Sequence, residues 1–378
     1  MRITDVTVTQ LRVPGWTAET FDGSYDDCVV EIHTDEGITG LGEVDSLPAG
    51  IAAVILAPSS HTGARGLREV LLGQDPLEIE ALWQRMYDAT CYIGRRGLVI
   101  HAIAALDIAL WDLKGKALGK PVASLLGTPR RDRVLAYGTV YPLGETPDEV
   151  RRTIDRGLGL GLRAIKIVAD PHWHHDLART EKLIRTAREH VGPDIMLMCD
   201  AATAWTKAED GLPLMPVFKE CGFEWLEAPL PLDDLQGHAR FQGWGIPITG
   251  GDLGLTTRFE YEAMLDVGKV DVAQPDITML GGLTEMMRLA AMVKQRGKRI
   301  VPHGYKTNIT IATNLAFLSQ HWADESLEYS TSQSPLRWEL TEQRFEIDGS
   351  GHVDVPDGPG LGVSLDQAAV ERFRVNAH

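Results

Sequence analysis

The chain has 378 residues, a formal net charge of -16 at pH 7 and a hydrophobic fraction of 44%. This length suffices for one large domain and a smaller one. The negative charge argues against nucleic acid and anionic membranes as partners. No run of 18 apolar residues predicts a membrane span, the N-terminus lacks the apolar stretch of a signal peptide, and the four scattered cysteines are expected to be reduced thiols. We therefore expect a cytoplasmic protein.

The first 125 residues predict an α+β domain. Residues 1–14, 28–34 and 38–44 read as three short strands, which predicts an antiparallel meander. From about residue 48 to 119, apolar residues recur at three- and four-residue steps, as is typical of helices. The longest helix, rich in alanine, is expected to end at Gly119, because glycine favours the position after a helix and Pro121 cannot continue it.

From about residue 133, predicted strands and helices alternate. Segments 133–141 and 162–168 predict the first two strands. Helical patterns lie near 147–159, 175–190, 206–221, 231–243, 255–267, 281–296 and 309–322. We expect a kink or short insertion in the third of these helices, because Pro213 and Pro216 interrupt it. The tail from residue 344 is expected to return to strands and turns.

Ionisable residues recur at regular spacing after short apolar runs. They are separated by about 27, 25, 24, 27 and 25 residues, the length of one strand, one helix and two loops: Asp200, Glu227, Asp252, Asp276, His303 and Glu328. A polar group at the carboxyl end of successive strands is typical of a (β/α)8 barrel active site. We therefore predict an α/β protein with a (β/α)8-type barrel over 126–343, between an N-terminal α+β domain (1–125) and a C-terminal segment (344–378).

Three of these residues, Asp200, Glu227 and Asp252, predict an all-oxygen metal site. Hard oxygen ligands at a site that keeps open positions favour Mg²⁺. Each acid alone could be a solvated strand end or a helix cap. Three of them on adjacent strands at one barrel face favour a metal centre.

The remaining strand-end residues predict acid–base chemistry. Asp276 beside His303 would orient the imidazole and stabilise its charged form. Lys166, on the second strand, is expected to face the site, with a pKa lowered by burial near a divalent cation. Glu328 could donate a hydrogen bond to a developing enolate oxygen if its pKa were raised. Together these groups suit removal of a proton α to a carboxylate.

These residues and the segment 105–116 resemble the enolase superfamily, mandelate racemase subgroup, over nearly the whole chain. In the resemblance, 105–116 matches the helix signature of the family's N-terminal capping domain. The resemblance implies a modified TIM barrel with one Mg²⁺ per subunit, and a C-terminal segment that returns to the capping domain to complete it. It also implies loops near 15–27 and 45–60 that shape the pocket, and self-association into homo-oligomers.

Three positions depart from the family pattern. Val168 replaces the second lysine of the usual Lys-x-Lys motif, Ala228 replaces a glutamate, and Ala202 replaces an asparagine. Loss of one lysine weakens a racemase, which needs a base on each face of the substrate. Elimination needs one base and one acid, and Lys166 and His303 could share these roles in either order.

We therefore expect an acid-sugar dehydratase that gives a 2-keto-3-deoxy acid. The alternative is a cycloisomerase that opens a lactone or anhydro-sugar acid of the galactarolactone or anhydrogalactonate type, and a racemase or epimerase is less favoured. A barrel retained for binding without turnover is a third class of function. The predicted partner is a small-molecule sugar acid, with candidate contacts at Tyr137, His174, Tyr305 and Lys306.

Overall fold

The structure, a computed structural model, describes residues 1–16, 23–60, 63–141, 143–169, 173, 175–321 and 324–375. The predicted substrate contact His174 and part of the predicted 15–27 loop lie outside these ranges. Within the described ranges, no helix is both long enough and apolar enough to span a membrane.

The N-terminal sheet is antiparallel and has the strand order β1–β2–β3. Its strands are β1 (Ile3–Arg12), β2 (Asp26–Thr34) and β3 (Thr39–Val44). The turn between β2 and β3 is closed by the N–H of Gly37, which donates to the carbonyl of Thr34 at 3.1 Å. Gly37 has a φ of 77°, which glycine adopts without steric cost. The predicted meander is confirmed.

In the described part of this stretch, the helices that follow the sheet are α1 (Pro48–Leu56), α2 (Leu67–Leu71), α3 (Ile79–Ala89), α4 (Leu98–Leu118) and α5 (Val122–Leu126). Helix α4 packs directly on β3, since a Cβ at Gly40 or Gly42 would lie 2.1 Å from a carbonyl oxygen of the helix. Most of α4 is buried, which explains its nearly uniform apolar sequence. It ends at Gly119 in the left-handed conformation, with φ 63°, as predicted.

Eight parallel strands then form the barrel. They are β4 (Arg133–Val140), β5 (Ala164–Val168), β6 (Met196–Asp200), β7 (Leu226–Glu227), β8 (Ile248–Gly250), β9 (Val272–Ala273), β10 (Arg299–Ile300) and β11 (Leu327–Ser330). The hydrogen-bonded order runs from β11 through β4 and onward to β10. A small apolar cluster fills the interior: Tyr137, Ala164, Met198, Trp225, Val272 and Val301. This arrangement confirms the predicted (β/α)8-type architecture.

The helices between these strands, and one that follows the last strand, pack around the barrel. They are α6 (Pro147–Gly159), α7 (Leu177–Val191), α8 (Ala208–Gly211), α9 (Met215–Glu220), α10 (Leu235–Ala239), α11 (Arg258–Asp266), α12 (Gly282–Gln295), α13 (Asn308–Gln320) and α14 (Pro335–Glu339). The predicted third helix is broken into α8, a 3-10 helix over Leu212–Leu214, and α9, as its prolines indicated. The helix predicted over 231–243 is wrong in length, because only the five residues of α10 are helical.

The C-terminal tail returns to the N-terminal domain. Strand β12 (His352–Asp354) first pairs antiparallel with β4 of the barrel, and Arg374 then forms a bridge with Leu11 of β1 in the N-terminal domain. The tail also contains α15 (Gln367–Phe373), which the prediction of strands and turns missed. This helix is short, and its first turn is capped by the side chain of Asp366. The domain boundaries at 125 and 343 stay predictions.

Two buried carboxylates of the N-terminal domain cap helices of the barrel. Oδ2 of Asp107 accepts a hydrogen bond from the N–H of Thr284, in the first turn of α12, at 2.9 Å. Oε2 of Glu43 accepts one from the N–H of Thr310, in the first turn of α13, also at 2.9 Å. The first amides of a helix lack intrahelical partners and favour negative charge. The N-terminal domain is therefore docked beside the loops that follow β9 and β10.

Candidate active site

A cavity of about 430 Å³ lies at the carboxyl ends of the barrel strands, with the N-terminal domain on one side. Its described lining residues are Gly23, Asp45, Ser46, Thr139, Tyr141, Lys166, Val168, Asp200, Ala202, Leu253, Met279, His303, Tyr305 and Glu328. Apart from Asp45 of the N-terminal domain, the charged lining residues lie on or just after barrel strands, and Leu253 and Met279 add apolar surface. A small polar molecule with one apolar face would fit such a site.

Lys166 lies on β5 in this cavity and has only 1% of its side chain exposed. Its Nζ lies 2.6 Å from Oε1 of Glu227 and 2.8 Å from Oε1 of Glu328. Burial by itself would lower the pKa of Lys166, but the two carboxylates outweigh burial and raise the pKa well above its usual value. The lowered pKa expected from the sequence depends on a bound divalent cation and stays a prediction, whereas the two acids from other strands that surround the ammonium act in the opposite direction.

Glu328 accepts hydrogen bonds from both sides. Oε1 accepts from Lys166 and from the hydroxyl of Thr139, and Oε2 accepts from the N–H of Gly304 at 3.0 Å. Burial by itself would raise the pKa of Glu328, but Lys166 and His303 outweigh it and lower the pKa to about 2. The raised pKa that Glu328 would need in order to donate a hydrogen bond is not found, because Glu328 lies between two cationic groups that favour its carboxylate form.

Asp276 and His303 form the predicted pair. Nδ1 of His303 lies 2.7 Å from Oδ2 of Asp276, and the backbones of the two residues are bridged. Burial by itself would lower the pKa of His303, but Glu328 and Asp276 outweigh it and raise the pKa to about 10. His303 is therefore an imidazolium at neutral pH. Its Nε2 lies 3.8 Å from Oε2 of Glu328.

The three predicted metal ligands are buried acids on consecutive parts of the sheet. Asp200 and Glu227 end β6 and β7 and are paired in register, and Asp252 follows β8. Burial, reinforced by the charge of a neighbouring acid, raises the pKa of Asp200 to about 6, of Glu227 to about 7 and of Asp252 to about 6. Three acids that oppose one another's ionisation form a site that a divalent cation would stabilise.

The three acids supply oxygen donors, which are the ligands that Mg²⁺ prefers. Within the described residues, no three carboxylate, imidazole or thiol groups converge closely enough to enclose an ion as they lie. Both carboxylate oxygens of Glu227 are engaged with other partners: Oε1 accepts from Lys166, and Oε2 accepts from Trp225 and Gln274. The donor chemistry fits Mg²⁺, which takes few carboxylates and completes its shell with other oxygens. Glu227 would have to share or give up Lys166 to act as a ligand.

Two of the departures from the family pattern lie beside these acids in left-handed backbone. Ala202 has a φ of 47° and Ala228 a φ of 40°. Such values are unfavourable for alanine, and residues strained in this way concentrate at functional sites. The loops that carry these two alanines are joined by the N–H of Thr203, which donates to the carbonyl of Ala228 at 2.8 Å. Val168 and Ala202 both line the cavity. At these two positions, the pattern that the sequence resembles has polar side chains and this chain has apolar ones.

The predicted substrate contacts lie in different places. Tyr305 lines the cavity. Lys306 is buried and is not among the residues that line the cavity. Its Nζ lies 3.1 Å from the carboxylate of Asp45 and donates to two backbone carbonyls. Tyr137 lies inside the barrel, with its ring edge-on to Trp225 and 5.6 Å from Nζ of Lys166. Of these three described candidates, Tyr305 is therefore the one that can contact a ligand in the cavity.

Three polar residues that the sequence reasoning missed support the site. Thr139 donates to Glu328, Gln274 donates to Glu227 at 2.8 Å, and Thr278 donates to Asp276 at 2.6 Å. Thr278 carried a signal in the sequence, because a threonine two residues after an aspartate commonly bonds it locally. Thr139 and Gln274 carried none beyond their place on predicted strands.

Two family profiles match the chain. The profile described as "Mandelate racemase / muconate lactonizing enzyme, N-terminal domain" matches residues 2–127. The profile described as "Enolase C-terminal domain-like" matches residues 145–369. Together they cover both parts of the fold described above.

Two curated proteins illustrate the sequence similarity. D-galactarolactone cycloisomerase of Agrobacterium fabrum is 33% identical over 362 residues, which are 92% of this chain and 91% of that protein. Arabinonate dehydratase of Saccharolobus solfataricus is 32% identical over 351 residues, 91% of this chain and 89% of that protein. Both similarities extend over nearly the whole chain.

Two solved structures illustrate the structural similarity. The 3,6-anhydro-D-galactonate cycloisomerase from Zobellia galactanivorans superposes with a TM-score of 0.88 at 28% identity and covers 100% of both chains. A racemase from Streptomyces coelicolor A3(2) with bound magnesium gives a TM-score of 0.85 at 28% identity, and covers 99% of this chain and 100% of that chain.

Proposed function

The chain belongs to the enolase superfamily, in the mandelate racemase subgroup, and on that premise we propose that it removes the proton α to the carboxylate of a sugar acid and then eliminates the β-oxygen. Similar proteins are named dehydratases and cycloisomerases, so the chain is an enzyme of the carbon–oxygen lyase or intramolecular lyase kind.

One observation carries the proposal: two proton-carrying groups contact the two oxygens of a single buried carboxylate. Nζ of Lys166 lies 2.8 Å from Oε1 of Glu328, and Nε2 of His303 lies 3.8 Å from Oε2 of Glu328. Elimination needs a base for the α-proton and an acid for the leaving oxygen. Lys166 and His303 supply one such group each.

We assign His303 as the acid and Lys166 as the base. His303 is held as an imidazolium by Asp276 and Glu328, neither of which is among the proposed metal ligands. Lys166 owes part of its raised pKa to Glu227, and a carboxylate that also binds a divalent cation offers less charge to the ammonium. Lys166 is therefore the group that can reach the neutral form a base requires.

Asp200, Glu227 and Asp252 would hold one Mg²⁺ per subunit. The ion would supply Lewis-acid stabilisation of the negative charge that develops on the substrate carboxylate when the α-proton leaves. The magnesium bound in the related Streptomyces racemase supports this choice of metal. Glu328, as a carboxylate, would hold the protons of Lys166 and His303 in place, rather than donate a hydrogen bond to the enolate oxygen.

The reaction that we propose first is dehydration to a 2-keto-3-deoxy acid. A second candidate, ring opening of a lactone or anhydro-sugar acid, is favoured by the apolar wall that Val168, Ala202 and Met279 give the cavity. A ring carries fewer free hydroxyl groups that need hydrogen-bond partners than an open chain does. Homo-oligomerisation and a cytoplasmic location stay predictions.

The test is a Mg²⁺-dependent screen of sugar acids, lactones and anhydro forms in D₂O, read by a keto-acid assay and by mass. A keto acid lighter than its substrate by one water establishes dehydration. A keto acid of unchanged formula apart from deuterium establishes cycloisomerisation. Deuterium at C2 without a keto acid would replace both with racemisation. Asp252→Asn tests the dependence on the proposed metal ligands, and Asp148→Asn, an exposed aspartate on α6, is the matched control.

A further inference from the structure

Thr278 lies at the meeting point of the two domains. It is fully buried in the loop after β9, two residues beyond Asp276. Its hydroxyl donates to Oδ1 of Asp276 at 2.6 Å, and its own N–H donates to the same oxygen at 2.7 Å. The same hydroxyl accepts a hydrogen bond from the N–H of Asp45 in the N-terminal domain at 3.0 Å.

The direction of this chain of hydrogen bonds is fixed. A backbone N–H can only donate, so the oxygen of Thr278 accepts from Asp45 and its single proton is left for Asp276. Oδ1 of Asp276 is then occupied by Thr278, and Oδ2 is left for Nδ1 of His303 at 2.7 Å. With Nδ1 engaged in this way, Nε2 of His303 is the nitrogen that can exchange a proton in the cavity.

Asp45 is itself held by the loop that carries His303. Its carboxylate lies 3.1 Å from Nζ of Lys306, three residues after His303, and Lys306 also donates to the carbonyls of Gly23 and Asp26. The Asp45 segment thus contacts the loop of Asp276 through Thr278 and the loop of His303 through Lys306. Both loops of the pair meet one short piece of the N-terminal domain.

We propose that Thr278 is a positioning residue for the Asp276–His303 pair, and that its hydroxyl makes the orientation of His303 depend on the docking of the Asp45 segment. An undocked N-terminal domain leaves Oδ1 of Asp276 with a hydroxyl that is free to rotate. A docked domain fixes that hydroxyl and, through Asp276, the imidazole. In metal sites, mutation of a residue that orients a functional side chain by a hydrogen bond typically lowers metal affinity or activity by roughly 10- to 100-fold.

The chain offers a matched control at Thr284. Its hydroxyl donates to Asp107 at 2.6 Å and accepts from Nε1 of Trp111 at 3.0 Å. Like Thr278, it donates to a buried carboxylate and accepts a bond from the N-terminal domain, but its carboxylate, Asp107, belongs to that domain and is not the partner of His303. Thr278→Val and Thr284→Val each remove one hydroxyl that takes part in a hydrogen bond between the domains.

The first readout needs no substrate. The Nδ1 proton of His303, assigned by its loss in His303→Asn, is followed by ¹H NMR in the full-length protein. We expect Thr278→Val to shift this resonance upfield or broaden it, Thr278→Ser to restore it, and Thr284→Val to leave it unchanged. Lys306→Met, which frees the Asp45 segment without touching Asp276, should move it in the same direction as Thr278→Val. An unchanged resonance in Thr278→Val would overturn the proposal, and an unchanged resonance in Lys306→Met alone would overturn its dependence on docking.

The second readout rests on the proposed function and uses whichever sugar acid turns over in the screen. We expect kcat of Thr278→Val to fall roughly 10- to 100-fold while KM changes little, because the hydroxyl acts on a proton-transfer group and not on binding. Thr278→Ser should recover most of the loss. A shifted resonance with no substrate found would leave the positioning role standing and count against the proposed function. A normal kcat in Thr278→Val would overturn the positioning role.

Discussion

Lys166 and Glu227 are joined by a buried hydrogen bond of 2.6 Å between Nζ and Oε1. The same carboxylate is a proposed metal ligand, so the ammonium and the cation would share one source of negative charge. Removal of one partner from a buried ion pair typically costs 3–5 kcal/mol. We therefore expect Lys166→Met to lower the melting temperature in EDTA markedly.

Mg²⁺ should restore more stability to Lys166→Met than it adds to the wild type, because the ion no longer competes with the ammonium for Glu227. The measurement is the melting temperature in EDTA and across a Mg²⁺ titration. Lys182→Met, an exposed lysine on α7, should behave like the wild type. An equal Mg²⁺ effect in the wild type and in Lys166→Met would mean that Lys166 and the ion do not share Glu227.

The assignment of base and acid can be tested by substitution at His303. We expect His303→Asn to lose product formation but to keep exchange of the α-proton with D₂O, because Lys166 still removes that proton. Lys166→Met should lose both. The measurement is deuterium at C2 of the recovered substrate, by mass and NMR. Loss of exchange in His303→Asn with exchange retained in Lys166→Met would reverse the assignment.

Asp27 should make stability depend on pH. It is buried beside Glu43, and burial together with that neighbouring acid raises its pKa well above the usual value. A raised carboxyl pKa means that the folded state binds a proton more tightly. The stability that this group contributes is therefore full below its usual pKa and is lost as pH rises through the raised one.

The matched variant at this position is Asp27→Asn, whose amide can donate to Glu43 at any pH. Across this window, we expect the free energy of unfolding of the wild type to fall by up to about 1.4 kcal/mol per pH unit relative to that of Asp27→Asn. The measurement is urea unfolding at a series of pH values from acid to alkaline. Asp26→Asn, at the partly exposed neighbouring residue, should follow the wild type. Parallel pH profiles for the wild type and Asp27→Asn would refute the raised pKa.

The protein should become more stable when Ala202 is replaced by a residue type that tolerates left-handed backbone. We expect Ala202→Gly and Ala202→Asn to raise the free energy of unfolding by about 1 kcal/mol, since φ 47° costs alanine roughly that much. Ala201→Gly, one residue earlier and outside the left-handed region, should lower it. Urea unfolding measures both effects. A loss of stability in Ala202→Gly comparable to that in Ala201→Gly would show that the strain is absent.

The spacing of the ionisable residues predicted the barrel because strand, helix and loop lengths add up to a constant repeat. It also predicted that Asp276 and His303 lie close together, because neighbouring parallel strands end at the same edge of the sheet. The same spacing could not give the pKa values of Lys166 and Glu328. Those pKa values depend on contacts between strands that are not adjacent in the sheet, from β5 to β7 and from β5 to β11, and sequence separation says nothing about which charged ends touch.

The contacts between the domains were beyond sequence reasoning for a related reason. Glu43 and its partner Thr310 are 267 residues apart, and Asp107 and Thr284 are 177 apart. Nothing in the alternation of β3 or in the apolar pattern of α4 distinguishes an acid that caps a distant helix from one that faces solvent. The helix α15 was missed because its seven residues are too few to display a clear period.

The return of the tail sets an order of events during synthesis. Residues of the tail complete a part of the fold that is made earlier: the carbonyl of Gly360 accepts from the N–H of Val122, and the N–H of Val375 donates to the carbonyl of Gln10. The N-terminal domain therefore leaves the ribosome before the barrel, but these contacts can form only after the tail has followed the barrel. On this reasoning, a ribosome stalled after β11 would carry a barrel whose strands are all present beneath a domain that still lacks its last contacts.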